Sequence, residues 1–229
     1  MSIFAIGDTH LTFSTDKPMD IFRGWTDYVE RLEKNWCAVV SEDDTVVIPG
    51  DISWAMSLEQ AKKDFAFLHS LPGKKLIMKG NHDYWWTTKR KMDTFLSENG
   101  FDSLSVLHNN AFRVGDFTLC GSRGWFFDAE NSDSKVLLRE AGRLEMSIEE
   151  GKKLGGELIV FLHYPPVMSN MMCNEMMAVL KKHGIERCYY GHLHGESTLR
   201  AVKETVDGIK FSLVSADFLE FCPKIIEKF

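Results

Sequence analysis

The chain has 229 residues, 44% of them hydrophobic and 26% charged, and a net charge of −6 at neutral pH. That length fits one domain, residues 1–229, with room for a large core. The acidic balance argues against a protein that grips a nucleic-acid backbone, which calls for a basic face, but it leaves room for one site that receives an anion at a local positive centre.

Residues 2–6 are predicted as a short strand that ends at Gly7-Asp8-Thr9-His10. A polar loop through Lys17-Pro18 leads to a helix over 25–40, where Trp25, Val29, Leu32, Trp36 and Val39 recur at intervals of three or four. The β-branched run 45–48 is a second strand, ending at Pro49-Gly50-Asp51. Ser57-Leu58-Glu59-Gln60 has the form of a capping box, and Leu58, Ala61, Phe65 and Leu68 supply the buried stripe of the helix it opens. The third strand, over 75–79, runs into Gly80-Asn81-His82-Asp83. A helix carrying Met92, Phe95 and Leu96 follows, with Gly100 past its end.

Residues 111–114 and 117–120 read as a hairpin, and 121–133 as a loop holding Arg123, Trp125, Phe126 and Phe127. A helix is expected over 134–154. The apolar strand 158–162 ends at His163, a Met-rich helix spans about 174–183, and the strand 188–190 ends at Gly191-His192-Leu193-His194. Asp207-Gly208 marks a hairpin turn. Alternating strands and helices indicate α/β architecture.

Cys37, Cys120, Cys173, Cys188 and Cys222 are scattered and form no Cys-x-x-Cys, so they read as reduced thiols of a cytoplasmic protein. The N-terminus has no basic segment before its short apolar run, and no stretch approaches the ~20 apolar residues of a membrane span.

Five strands thus end in ligand-type residues: Asp8 and His10, Asp51, Asn81, His163, and His192 with His194. Open α/β sheets bind ligands beyond the carboxyl ends of their strands, so these residues are expected to converge. Oxygen and nitrogen ligands without a thiolate suit Mn, Fe, Zn or Ni. Seven ligands exceed what one such ion takes and suit two that share a ligand, for which the two oxygens of Asp51 are the natural bridge. Two divalent cations outweigh Asp8, Asp51 and a bridging hydroxide, leaving a positive centre that favours a phosphate ester.

Taken together, Asp8-x-His10, Gly50-Asp51, Gly80-Asn81-His82-Asp83, His163 and Gly191-His192-x-His194 resemble the calcineurin-like metallophosphoesterase superfamily, in that family's order and across residues 8–194. The resemblance implies a two-sheet β-sandwich flanked by helices, the four-layer α/β/β/α metallophosphoesterase fold, with a dinuclear site at its edge. It implies one ion on Asp8, His10 and His194, another on Asn81, His163 and His192, and Asp51 between them. His82 is then the proton donor to the leaving group. One departure stands out. The protein serine/threonine phosphatase branch follows its Gly-Asp block with another Asp and an Arg-Gly pair, whereas Ile52-Ser53-Trp54-Ala55 stands here. The acid that orients the histidine and the arginine that clamps phosphate are missing there. Asp83 is the substitute candidate to orient His82, and Arg123 the candidate phosphate contact.

Plainer readings stand beside these. Arg123 reads slightly better as an exposed loop charge. Tyr84-Trp85-Trp86 and Trp125-Phe126-Phe127 either wall a substrate pocket or close the core under long loops. His69, His108 and His183 are read as structural, Lys89-Arg90-Lys91 as a solvated helix face, and Met168, Met171, Met172, Met176 and Met177 as core or lid packing. The expected activity is hydrolysis of a small phosphomonoester or phosphodiester by metal-bound hydroxide, with two transition-metal ions as cofactors. Two rivals are a non-catalytic protein-binding scaffold on the same fold and a nuclease. The scaffold would be free to lose ligands and has little use for His82; the acidic balance counts against the nuclease.

Overall fold

Strand β1 (Ser2–Ala5) is buried along its whole length, with Phe4 facing one way and Ile3 and Ala5 the other. That is the period of two of a strand covered on both faces. The chain continues, in a computed structural model that describes residues 1–125 and 134–229, through α1 (Tyr28–Val39), β2 (Thr45–Ile48), α2 (Leu58–Ser70), β3 (Lys74–Ile77), α3 (Lys89–Glu98) and β4 (Leu104–Val106). Then come β5 (Ala111–Val114), β6 (Phe117–Ser122), α4 (Ser134–Leu154), β7 (Glu157–Leu162), the short pair β8 (Val167–Met168) and β9 (Met171–Met172), and α5 (Asn174–Lys182). Strands β10 (Arg187–Tyr190), β11 (Thr205–Val206), β12 (Ile209–Leu213) and β13 (Lys224–Lys228) complete the order.

Two main sheets result, besides the β8-β9 pair: five strands ordered β13-β1-β2-β3-β4 and six ordered β11-β12-β10-β7-β6-β5. Three apolar layers hold them. Ile3, Ala5, Val47 and Leu76 of one sheet meet Leu119, Ile159, Phe161 and Tyr189 of the other. The outer face of the first sheet, with Phe4, Val46 and Ile48, is covered by Leu32, Trp36, Phe65, Leu68 and Met92. The outer face of the second, with Val160, Leu162, Tyr190 and Phe211, is covered by Leu144, Ile148, Met176 and Leu180. The expected four-layer α/β/β/α architecture is therefore present.

Strands β1 to β4 run parallel, as do β6, β7, β10 and β12, so their carboxyl ends collect at one edge. The sheets are tied there: the Gly7 N–H donates to Val214 O at 2.7 Å and the Ala216 N–H to Gly7 O at 2.9 Å.

Local expectations mostly carried over, with three differences. Helix α1 starts at Tyr28, not Trp25, because Trp25 is drawn inward onto Phe221 and His10. Only half of the capping box forms: Ser57 Oγ accepts the Gln60 N–H, while Gln60 Oε1 accepts from Met56 N–H instead of Ser57. Strand β6 runs on to Ser122, taking the first residues of the expected loop; Phe126, Phe127 and the loop to Asp133 lie outside the described residues. The Asp207-Gly208 turn joins β11 to β12 with positive φ at both residues, 51° and 83°, as a primed hairpin turn requires. No helix among the described residues is long and apolar enough to cross a membrane.

Candidate metal centre

The edge where the strands end is built on unusual backbone. Asp8, His10, Asp51 and His192 have φ of 58°, 44°, 50° and 72°. Left-handed backbone is costly for such residues and persists only where surrounding structure enforces it, as at functional sites. Glycines allow the loops to close in. A methyl at Gly80 would overlap Asp51 Oδ1, and one at Gly191 would overlap Asp8 Oδ2. The motif glycines serve close approach as much as turning.

Two clusters of donor atoms result. In one, His10 Nε2 and His194 Nε2 lie 3.2 Å apart, with Asp8 Oδ1 3.4 Å from His194 Nε2. In the other, Asn81 Oδ1 lies 2.6 Å from His163 Nε2 and 2.9 Å from His192 Nδ1. Asp51 stands between them, its Oδ2 3.8 Å from His10 Nε2 and 3.6 Å from His163 Nε2. Backbone groups hold the carboxylates: the His82 N–H donates to Asp51 Oδ1 at 2.8 Å, and the His192 N–H to both oxygens of Asp8 at 2.9 and 3.0 Å.

These donors fit cations. His163 Nδ1 lies 3.1 Å from Pro49 O, a carbonyl that only accepts, so that nitrogen carries the hydrogen. The bare Nε2 then faces the Asn81 carbonyl oxygen, acceptor to acceptor, and a cation bound by both relieves that opposition. Burial above all holds His163 and His192 down at about 3, and His10 well below the ordinary imidazole range, so these rings are neutral donors. Burial, then Asp83 and Asp8, push Asp51 above the usual carboxylate range. His194 differs. Burial disfavours its charge, but Asp8 and Asp217 outweigh burial and hold it up at about 10.

A family model described as calcineurin-like phosphoesterase matches residues 1–196. The chain belongs to that family. It is 25% identical over 174 residues to a probable cyclic nucleotide phosphodiesterase of Fibrobacter succinogenes, covering 71% of this chain and 62% of that protein. Among solved structures it resembles TT1561 of Thermus thermophilus, with a TM-score of 0.61, 12% identity and coverage of 98% and 97% of the two chains. It also resembles a phosphopantetheinyl hydrolase of Mycobacterium tuberculosis, with a TM-score of 0.57, 14% identity and coverage of 98% and 95%. These structural likenesses speak to the fold.

All seven candidate ligands come together at the edge, and His82 lies beside them, its ring 5.8 Å from that of His10 and 4.4 Å from that of Trp54. Two expectations need correction. Asp83 does not touch the His82 ring. It is fully enclosed, and its carboxylate accepts the backbone N–H groups of Gly80, Asp51 and Ile52 at 2.7–2.9 Å and Trp85 Nε1–H at 3.1 Å. It therefore staples the Asp51 loop to the Gly80 loop. Burial lifts it to about 6 against those donors. Nor is Arg123 an exposed charge: its side chain is 17% exposed and reaches Glu140 at 3.3 Å, a partner with no exposure at all. Its carbonyl accepts the His163 N–H at 3.1 Å, so it supports the end of β7.

The aromatic walls also differ. Trp85 is core, Trp86 packs on His108, and Trp125 lies against Tyr164. The rings beside the site include Trp25 and Trp54, Tyr164 on His163 and His192, and, of the expected walls, Tyr84 beside His82. Asp217 escaped sequence reading; its Oδ1 lies 3.1 Å from His194 Nδ1. The signal was there, since the apolar run ending in Val214 passes into Ser215-Ala216-Asp217, one more strand ending in polar residues.

Proposed function

We propose that the protein is a phosphoesterase that works with two transition-metal ions. Asp8, His10 and His194 hold one, Asn81, His163 and His192 the other, and Asp51 bridges. When bound, such ions lower the pKa of water toward ~7 and neutralise charge on phosphoryl oxygens. The observation that carries this reading is Asp51 Oδ2 within 4.0 Å of a ring nitrogen from each cluster.

The residues divide the remaining work. Pro49 O and Asp217 fix the ring orientations of His163 and His194, leaving Nε2 of each as the donor. Asp83 holds the loops that aim Asp51 and Asn81. His82 sits beside the clusters, its ring 5.8 Å from that of His10 and its Nδ1 3.5 Å from Tyr84 OH, and serves as general acid. The relation to a probable cyclic nucleotide phosphodiesterase supports a small organic ester as substrate. The missing arginine of the protein phosphatase branch counts against a phosphoprotein.

The test is elemental analysis of protein refilled with excess Mn, alongside hydrolysis of mono- and diesters. Two ions per chain are expected. Asp51→Asn should lower occupancy of both sites, since it removes the shared charge. Full occupancy and rate in that variant would overturn the bridging role.

A further inference from the structure

A cavity of about 340 Å³ opens beside the cluster of Asp8, His10 and His194, and His10, His82 and His194 form its inner wall. The rest of its lining is largely apolar: Met19, Phe22, Trp25 and Trp54, with Arg23 at one side. Trp25 is 4% exposed and Met19 6%, so both belong to a built wall, whereas Phe22 at 53% forms an exposed rim. Trp54 is held in place from several sides. Its ring stacks on His10 at 5.1 Å with 23° between planes, its Nε1–H points to Met19 Sδ at 3.3 Å, and Lys17 Nζ lies 3.4 Å from its ring centre.

The position of this cavity decides what it can hold. His82, the proposed acid, is part of its wall, so the cavity adjoins the oxygen that departs from phosphorus. A phosphoryl group on the clusters would project its alcohol there. Its size lies at the small end of ligand pockets, too little for a protein loop or an oligonucleotide. Two indoles, a phenyl ring and a thioether offer flat, polarisable walls, and aromatic pairs gain beyond burial alone. Arg23 lines one side of the cavity and suits the face of an electron-rich ring.

We infer that the substrate is a phosphate ester whose leaving alcohol carries an aromatic or heteroaromatic ring, and that Trp25, Trp54 and Phe22 select it. This rests on the phosphoesterase reading and names its substrate class.

The experiment compares benzyl with ethyl phosphate, each as monoester and as methyl diester, on the metal-loaded full chain. The two alcohols are similar in basicity, so His82 faces the same demand and the ring is what differs. In parallel, binding of benzylphosphonate and ethylphosphonate is followed by tryptophan fluorescence and calorimetry. A preference of about tenfold or more for the ring is expected in kcat/KM and in Kd. Trp54→Ala should abolish it, Trp54→Phe should retain most of it, and Phe22→Ala, at the exposed rim, should reduce it. Hydrolysis of both esters without preference, with equal phosphonate binding, overturns the inference and leaves the phosphoesterase reading intact. Selective binding of benzylphosphonate with no hydrolysis of any ester overturns the phosphoesterase reading and supports the pocket. A preference unchanged in both Trp54→Ala and Phe22→Ala overturns the assignment of these walls.

Discussion

At the scale of single residues, metal binding and proton transfer fall to different side chains, and His82 is where they separate. It is absent from both donor clusters, and burial, followed by Lys17, lowers its pKa, so its protonated acid form is favoured toward acidic pH. A leaving alkoxide needs a proton as the P–O bond breaks, and general acid help is typically worth ~10²–10⁴-fold. A p-nitrophenolate needs far less. His82→Ala should therefore retain both metals, lose most activity on alkyl esters and lose much less on p-nitrophenyl esters. Metal content and both rates on one preparation check it; a lost metal would make His82 a ligand. Asp217 acts at one remove. It receives the hydrogen of His194 Nδ1 and the Gly195 N–H at 2.8 Å, which fixes the ring against rotation. Partners of this kind are worth ~10–100-fold in metal affinity. Asp217→Asn should weaken one site by that factor in a chelator competition and leave the other nearly unchanged.

At the scale of elements, what was legible followed from what the local sequence controls. Strands buried on both faces must be apolar throughout, so β2 and β7 stood out, and each ended at a polar break that is also a site loop. The strands that escaped notice were β4, only three residues long, the two-residue pair β8 and β9, and β13, an edge strand whose residues are mostly exposed and mixed with charge. Local pattern does not mark an element that neighbours hold in place. The same limit hid the roles of Asp83 and Arg123. Sequence adjacency suggested that Asp83 serves His82, but besides Gly80 and Trp85 it holds backbone N–H groups about thirty residues upstream, at Asp51 and Ile52. Arg123 was paired by α4, from a residue no motif marks. Glu140 Oε1 lies 2.6 Å from Arg143 Nη1 and 3.3 Å from Arg123 Nη2, tying α4 to the segment that carries His163. Removing a buried partner leaves an uncompensated charge. Glu140→Ala should cost about 3 kcal/mol in urea unfolding, the low end for buried pairs because Arg123 keeps some exposure.

At the scale of the whole molecule, groups buried far from the site set how stability responds to alkaline pH, and they pull in opposite directions. Lys75 on β3 has no exposure, and its Nζ donates to Leu71 O, to Gly73 O at 2.7 Å and to Ser103 Oγ at 3.2 Å. No carboxylate pairs with it among the described residues. Burial lowers its pKa to about 8. The unfolded chain then binds more protons than the folded one between pH 8 and the ordinary lysine value of ~10.4, so this group makes stability rise with pH across that window. Below pH 8 both states are charged and the cost is constant. Buried thiols have the reverse effect. Cys120 is pushed up to about 12 and Cys188 is raised too, so the folded chain keeps protons that the unfolded chain loses above pH ~8.5. Tyr190, also raised by burial, joins them from pH ~10. Stability should therefore climb from pH 8, level off near pH 9 and fall beyond it. Lys75→Met leaves the carbonyls of Leu71 and Gly73 without their donor, which lowers stability by a pH-independent amount. It also removes the one contribution that rises. Urea unfolding at pH 7, 8, 9 and 10 should show the variant flat and then falling, and the difference between the two proteins growing from pH 8 to 10. A constant difference would mean that burial does not lower the Lys75 pKa in the folded chain, which then stays charged up to the ordinary lysine range.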